Sequence, residues 1–565
     1  MTKLKTRILT TACIALAGSS MLSSAALAAV TQVYGGGSSL IAPYWRQVGD
    51  CYGNPTALIY TGTPPTFANI TPFDFVGTTP ANSQNCATKH ISTKYTVNFI
   101  STGSGTGIEG IYSHNPDVYG FVDAGETMYY PTVNYGLSDS GLADSDVAIY
   151  NGGGTEHGAT VVAPGVTPGA GQYGNPLQLY GPLIQFPFSI DPVVIAYSPV
   201  YEKVYNPSTP STPTTYSFNI KSSYLRSNGS GGLHLDATTY CEIFNGQITN
   251  WNSPALKKLN GGQSLEDPTD PTPAASWSVP MQIVGREDSS GTTSIFYRNL
   301  ATVCGALISG NNYVAAGGTT LPSGLLDAGE TSSVPGYNKA NPNYPAPAIE
   351  TLGKFTTANG SDGVSKYVAF TALPSDGIGG DNPTTIIQGR IGYVGPDYAL
   401  PAVLSTNQNS YGLNTATLKN SLGQWIVPPP AAALKSFSVL SPPSGSAATD
   451  PANWVQPIAN TSPLGNPTVS GGYPIVGTTN FLGYTCYASS KNTTLITGMI
   501  KYVESNLINT DTSTGILAEA GLSPLPKAWT SAIEATFESN TSGLGLNIST
   551  VGAAGACSVA GVVGG

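Results

Sequence analysis

Charged side chains are scarce in this sequence: only 10% of its 565 residues are Asp, Glu, Lys or Arg, against roughly 25% in an ordinary soluble domain. That shortage argues against a helical cytosolic enzyme with an ion-paired surface. Histidine occurs four times, at 90, 114, 157 and 234, with no H-E-x-x-H pair and no spacing that would gather several imidazoles on one metal. No intact G-x-S-x-G or Walker loop occurs, and no serine has an evident base partner in the sequence. No metal, no cofactor and no catalytic group are therefore expected. Past the N-terminal segment no apolar run is long enough to cross a bilayer, so membrane insertion is not expected either.

That N-terminal segment has its own pattern. Lys3, Lys5 and Arg7 precede an apolar run from Ile8 to Gly18, and Ala26-Leu27-Ala28 offers a small-x-small cleavage site. Residues 1–29 are read as a cleaved signal peptide. No Cys follows the cleavage site, so a lipid anchor is not expected, and the mature chain is placed in the periplasm or outside the cell. Without the three leader cations, 19 Lys and Arg face 32 Asp and Glu, a formal charge of −13. A field of that sign disfavours nucleic acid and anionic lipid as partners. An anion would have to be held by a local site working against the whole.

Six cysteines remain (51, 86, 241, 304, 486 and 557), none in a C-x-x-C pair. An even count in an exported chain points to disulfides, with 15 possible connectivities. Pairing of sequence neighbours, 51–86, 241–304 and 486–557, is the expectation.

What the sequence has in abundance is Gly (67), Pro (44) and Tyr (31), the composition of a loop-rich protein containing strands. One stretch organises the rest. Arg286-Glu287-Asp288-Ser289-Ser290-Gly291-Thr292 places a cation two residues before a carboxylate. A Ser-Gly-Thr turn then feeds a segment with apolar residues at Ile295, Phe296 and Leu300. Such a turn aims free backbone N–H groups and hydroxyls at one point, on the positive end of a helix dipole. Arg286 adds a planar donor fork, which Asp288 would hold still. The stretch reads as a socket for an oxyanion, against the plainer reading of a capped surface helix with an ion pair.

Two upstream segments repeat the strand, Gly/Ser turn, helix design. Val33 leads into Gly35-Gly36-Gly37-Ser38-Ser39-Leu40 and a helix opened by Pro43. Val97 to Ile100 leads into Ser101-Thr102-Gly103-Ser104-Gly105-Thr106-Gly107 and a helix from Ile108. Two such units could converge their N-termini on one ligand. Val118 to Ala124 reads as a buried strand ending in the carboxylate of Asp123. Residues 131–180 read as loops, and 305–365 and 428–467 as irregular insertions. Further strands are read at 186–190, 193–197, 282–284, 389–394 and 473–476, two short helices within 233–262, and helices at 495–507 and 526–537. Alternating strands and helices give an α/β class with parallel sheets.

Together these segments resemble the periplasmic phosphate-binding protein of the high-affinity ABC phosphate importer. GGGSSLIAP at 35–43 is similar to the family's first phosphate loop, with Ser39 and Leu40 at its contact positions. TGSGTG at 102–107 is similar to the second, with Ser104 as the contact. VDA at 122–124 sets Asp123 on the ligand-accepting aspartate. REDSSGT at 286–292 carries over Arg286, Ser290, Gly291 and Thr292, with Asp288 as the partner of Arg286. Ser39 and Leu40 stand where Thr and Phe are usual, and the chain is longer than a plain importer subunit. The resemblance implies a two-lobed, type II periplasmic-binding-protein fold with the ligand in the interlobe cleft. Lobe 1 would combine 30–186 with 405–565, and lobe 2 would be 187–404. It further implies inorganic phosphate as ligand and an ABC permease complex as partner. The competing readings are a secreted phosphate-binding or interaction protein outside a transporter, and a weak phosphomonoesterase.

Overall fold

The computed structural model describes residues 31–53, 94–119, 130–203, 214–225, 232–286, 288–308, 355–369, 389–399, 413–428, 430–456, 462–505, 517 and 520–565. Along the chain run β1 (Thr31–Gly37), α1 (Ala42–Tyr52), β2 (Tyr95–Ser101), α2 (Ser104–Ser113), β3 (Tyr135–Ser138), β4 (Leu183–Pro192) and β5 (Val194–Tyr197). There follow β6 (Met281–Arg286), α3 (Gly291–Val303), β7 (Phe355–Ala358), α4 (Gly360–Ala369), β8 (Gly389–Val394), β9 (Asn414–Thr415), β10 (Val476–Tyr484) and α5 (Ser490–Glu504).

Two five-stranded sheets result, one in each lobe of an α/β fold. The first has the order β2-β1-β3-β10-β4 and the second β7-β6-β8-β5-β9. β1 pairs in parallel with β2 and β3, and β6 in parallel with β7 and β8. β10 runs antiparallel between β3 and β4, and β5 antiparallel to β8 and β9. The chain first passes from one sheet to the other through a single residue, Val193, between β4 and β5. β4 is buried along its whole length, as its near-continuous apolar run requires.

Pro187 sits within β4, which is an edge strand, where a missing N–H is tolerated. The pairing steps from Thr479↔Ser189 to Asn480↔Pro187, so the ladder slips by one residue at this proline. Such a bulge re-aims the neighbouring side chains, and Thr479 is one of them. Glycines let the first lobe close up tightly. Gly37 has φ +129°, and a Cβ there would lie 2.1 Å from the Leu137 carbonyl oxygen and 3.0 Å from the Gly107 Cα. α2 therefore lies directly on β1 and β3, and its residues are buried almost throughout.

Several expectations are revised. Residues 131–180 are not a loop: they hold the central strand β3, the helix Asp144–Gly152 and a small hairpin of 154–156 with 159–161. Four-residue β3 is too short for its period-2 pattern to stand out. The segment read as a strand from Val118 begins instead in a 3-10 turn, Pro116–Tyr119, and 120–129 lie outside the described residues. Within 428–467, Pro430–Phe437 is helical and three 3-10 turns follow. Proline at the first helical position costs nothing there. The expected insertion 305–365 includes β7 and the start of α4. The two disulfides Cys241–Cys304 and Cys486–Cys557 form, with Cα separations of 5.5 and 5.4 Å. Cys86, the expected partner of Cys51, lies outside the described residues.

Candidate functional site

The polar residues singled out above meet where the parallel strands of both sheets end. β1 ends before Ser38 and Ser39, β2 before α2 and Ser104, and β3 before Asp139. Across from them β6 ends on Arg286 and β7 leads to Ser361. Carboxyl ends of parallel strands are where an open α/β sheet binds ligands, because backbone and helix N-termini converge there.

Arg286 occupies the centre, 2% exposed. Its Nε donates to Asp288 Oδ1 at 2.7 Å, and its Nη2 also donates to Asp288 Oδ2. Asp288 Oδ1 in turn accepts the Gly360 N–H at 2.9 Å, so the fork is fixed in two places. The remaining donors point into the cleft: Nη1 to Thr292 Oγ1 and to Ser361 Oγ, both at 3.2 Å, and Nη2 to Ser39 Oγ at 2.8 Å. Burial works most strongly against the guanidinium charge, but Asp288, with Tyr393 and Asp139, together outweighs it, so the pKa moves up. A permanently charged bidentate donor thus faces a ring of hydroxyls.

Opposite Arg286 stands Asp139, 5% exposed. Its Oδ1 accepts the hydroxyls of Ser38 and Thr479. Its Oδ2 has only long contacts, from Ser104 Oγ at 3.3 Å and Thr292 Oγ1 at 3.4 Å. Oδ2 is therefore the oxygen free to take a stronger donor. Burial pushes the Asp139 carboxyl up, while the Ser38 and Thr479 hydroxyls, the Arg286 charge and Ser104 pull it back.

The cleft brings together most of the expected residues, in differing roles. Ser39, Ser104 and Thr292 present hydroxyls to it. Ser290 caps α3, accepting the Thr293 N–H at 3.1 Å, and leaves Gly291 at the helix start. Leu40 offers only its backbone: its side chain is buried in the core, and its N–H donates to Ser38 Oγ at 3.1 Å. Asp123 lies outside the described residues; among the described residues the carboxylate across the cleft from Arg286 is Asp139. The sequence signal for Asp139 was present. Tyr119-Gly120-Phe121-Val122-Asp123 and Tyr135-Gly136-Leu137-Ser138-Asp139 share one pattern, and the strand of the second copy pairs with β1. Ser38, Thr479 and Ser361 were also missed, the last because it falls in a segment read as an insertion.

The two walls touch directly. The Gly105 N–H donates to the Ser289 carbonyl at 3.1 Å, Ser140 Oγ to Ser294 Oγ at 3.2 Å, and the Ser361 N–H to Ser39 Oγ at 3.2 Å. Gly291 is packed closely as well: a Cβ there would lie 2.5 Å from Ser104 Oγ and 2.6 Å from Asp139 Cβ. Those contacts belong to the closed cleft, not to either lobe's core. Gly291→Ala is therefore expected to weaken anion binding by about 1–3 kcal/mol, the range of an overpacked contact, with little change in the thermal midpoint. A large fall in midpoint with unchanged binding would show that the contact belongs to the fold instead.

Comparison with known proteins gives consistent relatives. A model of the PBP superfamily domain matches residues 86–506. The chain is 26% identical over 331 residues to alkaline phosphatase L of Pseudomonas aeruginosa (strain UCBPP-PA14), covering 57% of this chain and 66% of that relative. It is 28% identical over 340 residues to a phosphate-binding protein of an unidentified prokaryote, covering 58% of this chain and 72% of the relative. In structure it is similar to a phosphate-binding protein of Stenotrophomonas maltophilia, with TM-score 0.50, 21% identity, and 94% of this chain and 99% of that one covered.

Proposed function

This chain belongs to the PBP superfamily, and from the chemistry of its cleft we propose that it binds inorganic phosphate between its lobes as an exported substrate-binding protein. One observation carries the reading: a buried, doubly anchored guanidinium and a buried carboxylate face each other across a ring of hydroxyls. Arg286, Ser39, Ser104, Thr292 and Ser361 would donate to the anion's oxygens, with the Gly291 N–H at the start of α3 beside them. Asp139 Oδ2 would accept the proton that phosphate carries. Fully ionised sulfate has no such proton and would set an oxygen against the carboxylate, a like-charge contact that excludes the wrong partner. Phosphate-binding relatives support the assignment.

The rigid units are taken as two lobes near the expected limits. The return crossing is moved to about residue 428, because 414–426 pair with the second sheet and its neighbour. Among the described residues no helix is long and apolar enough to cross a membrane. Delivery to an ABC permease is the use proposed for the bound phosphate. The test is equilibrium dialysis of the ligand-stripped chain against radiolabelled phosphate. One phosphate per chain, displaced by arsenate, is expected; no retention would contradict the reading.

Hydrolysis of phosphomonoesters is a second reading, favoured by the name of the alkaline phosphatase L relative. His157 lies at the rim of the cleft, its Nδ1 3.0 Å from where a Gly105 Cβ would be, and Glu156 pairs with it at 3.1 Å. A nitrophenyl phosphate assay decides between them: binding alone predicts no turnover above that of Arg286→Ala.

A further inference from the structure

Behind the socket a second carboxylate approaches the first through a single hydroxyl. Thr479 Oγ1 lies 2.6 Å from Asp139 Oδ1 and 2.6 Å from Asp191 Oδ2. A hydroxyl has one proton to donate, so it cannot satisfy two ionised carboxylates at these distances. One carboxyl must be protonated and donate to the threonine oxygen. Asp139 has the Arg286 charge and the hydroxyls of Ser38 and Ser104 to stabilise its anion. Among the described residues no cation acts on Asp191, only Ser189 Oγ at 2.7 Å on its other oxygen and the backbone N–H of Thr479.

We propose that Asp191 is a positioning residue for anion selectivity: its carboxylic acid donates to Thr479, whose hydroxyl then donates to Asp139 and holds Asp139 as a pure acceptor toward the ligand's proton. The proposal rests on the phosphate reading above. Atoms balance without a co-reactant, since one proton on the pair of acids and one on Thr479 fill both short contacts.

The surroundings agree. Asp191 is fully buried, and burial followed by the Asp139 charge raises its pKa to about 7. Asp397, in the turn after β8, is also buried, and burial, followed by its neighbours Asp191 and Asp139, pushes its own carboxyl well up. Tyr44 on α1 presents a buried, unpaired hydroxyl nearby, itself pushed up by burial and Asp191. Arg286 faces Asp139 from β6, and Arg298 of α3 donates to the Val476 carbonyl at 2.7 Å, beside the end of β4. Below about pH 7 the relay is intact. Above it Asp191 ionises, the Thr479 proton has two competing acceptors, and another negative charge stands behind the bound anion.

The experiment is calorimetric titration of phosphate into wild type and Asp191→Asn, well below and well above pH 7. The Asn amide donates to Thr479 at every pH and cannot ionise. Phosphate's own ionisation cancels in the ratio of the two affinities. That ratio, wild type over variant, is expected to fall about tenfold as pH rises, the linkage of one pKa unit. A flat ratio with both proteins binding overturns the proposal and leaves phosphate binding intact. Failure of both to bind overturns the phosphate reading itself. Should Asp191→Asn not fold, Thr479→Val is compared with Thr479→Ser. The valine variant lets Asp139 keep a proton of its own, so sulfate should compete better than in the serine variant; equal competition overturns the relay.

Discussion

Asp139→Asn is expected to abolish discrimination between phosphate and sulfate. In the wild type Asp139 Oδ2 is held only by contacts of 3.3 and 3.4 Å, so a protonated phosphate oxygen displaces little and gains a charge-assisted hydrogen bond. Sulfate meets the same oxygen without a proton. The amide of Asn carries no charge and turns its NH2 toward a bare oxygen. Phosphate affinity should fall while sulfate affinity rises, closing a gap of about 3 kcal/mol, roughly a hundredfold. Competition titration with sulfate reads this directly. Unchanged selectivity would remove Asp139 from the ligand contact and return attention to Asp123.

Arg286→Ala is expected to cost about 2–5 kcal/mol of phosphate binding, the range for truncating one partner of a buried charge pair. Part of that loss is the missing donor fork. Part is Asp288, which stays buried with only the Gly360 N–H at 2.9 Å to satisfy it. Asp288→Asn should then cost less than Arg286→Ala, since the guanidinium keeps its cleft donors and loses only its clamp. Equal losses in the two variants would mean that Asp288 contacts the ligand itself. Ser361→Ala belongs to the same set, because Nη1 of Arg286 donates to it at 3.2 Å.

Much of this cleft was legible in the sequence because its parts are local. Arg286, Asp288, Ser290, Gly291 and Thr292 lie within seven residues, and the strand, turn and helix that present them are contiguous. Ser39 and Ser104 follow from the same logic, each in a Gly/Ser turn ahead of a helix. The α/β class followed from alternation of strands and helices, but the expected parallel sheets are mixed: each joins two parallel pairings to two antiparallel ones. What escaped depends on contacts that sequence spacing does not carry. Asp139 ends a strand of four residues inside a Gly- and Tyr-rich stretch, with a similar pentapeptide sixteen positions earlier to distract from it. Ser361 lies in a segment whose composition suggested a loop. Thr479 and Asp191 come from β10 and β4, antiparallel neighbours nearly three hundred residues apart, and the bulge at Pro187 that aims Thr479 is visible only in the register.

Phosphate held between Arg286 and Asp139 is the central expectation for this cleft. The most direct test is isothermal titration of phosphate into the ligand-stripped mature chain, from Val30, with and without a large excess of sulfate. One-to-one binding whose affinity sulfate leaves unchanged is the predicted result. Heat that vanishes when sulfate is present would show a socket for anions in general, and no heat in either buffer would contradict the site altogether.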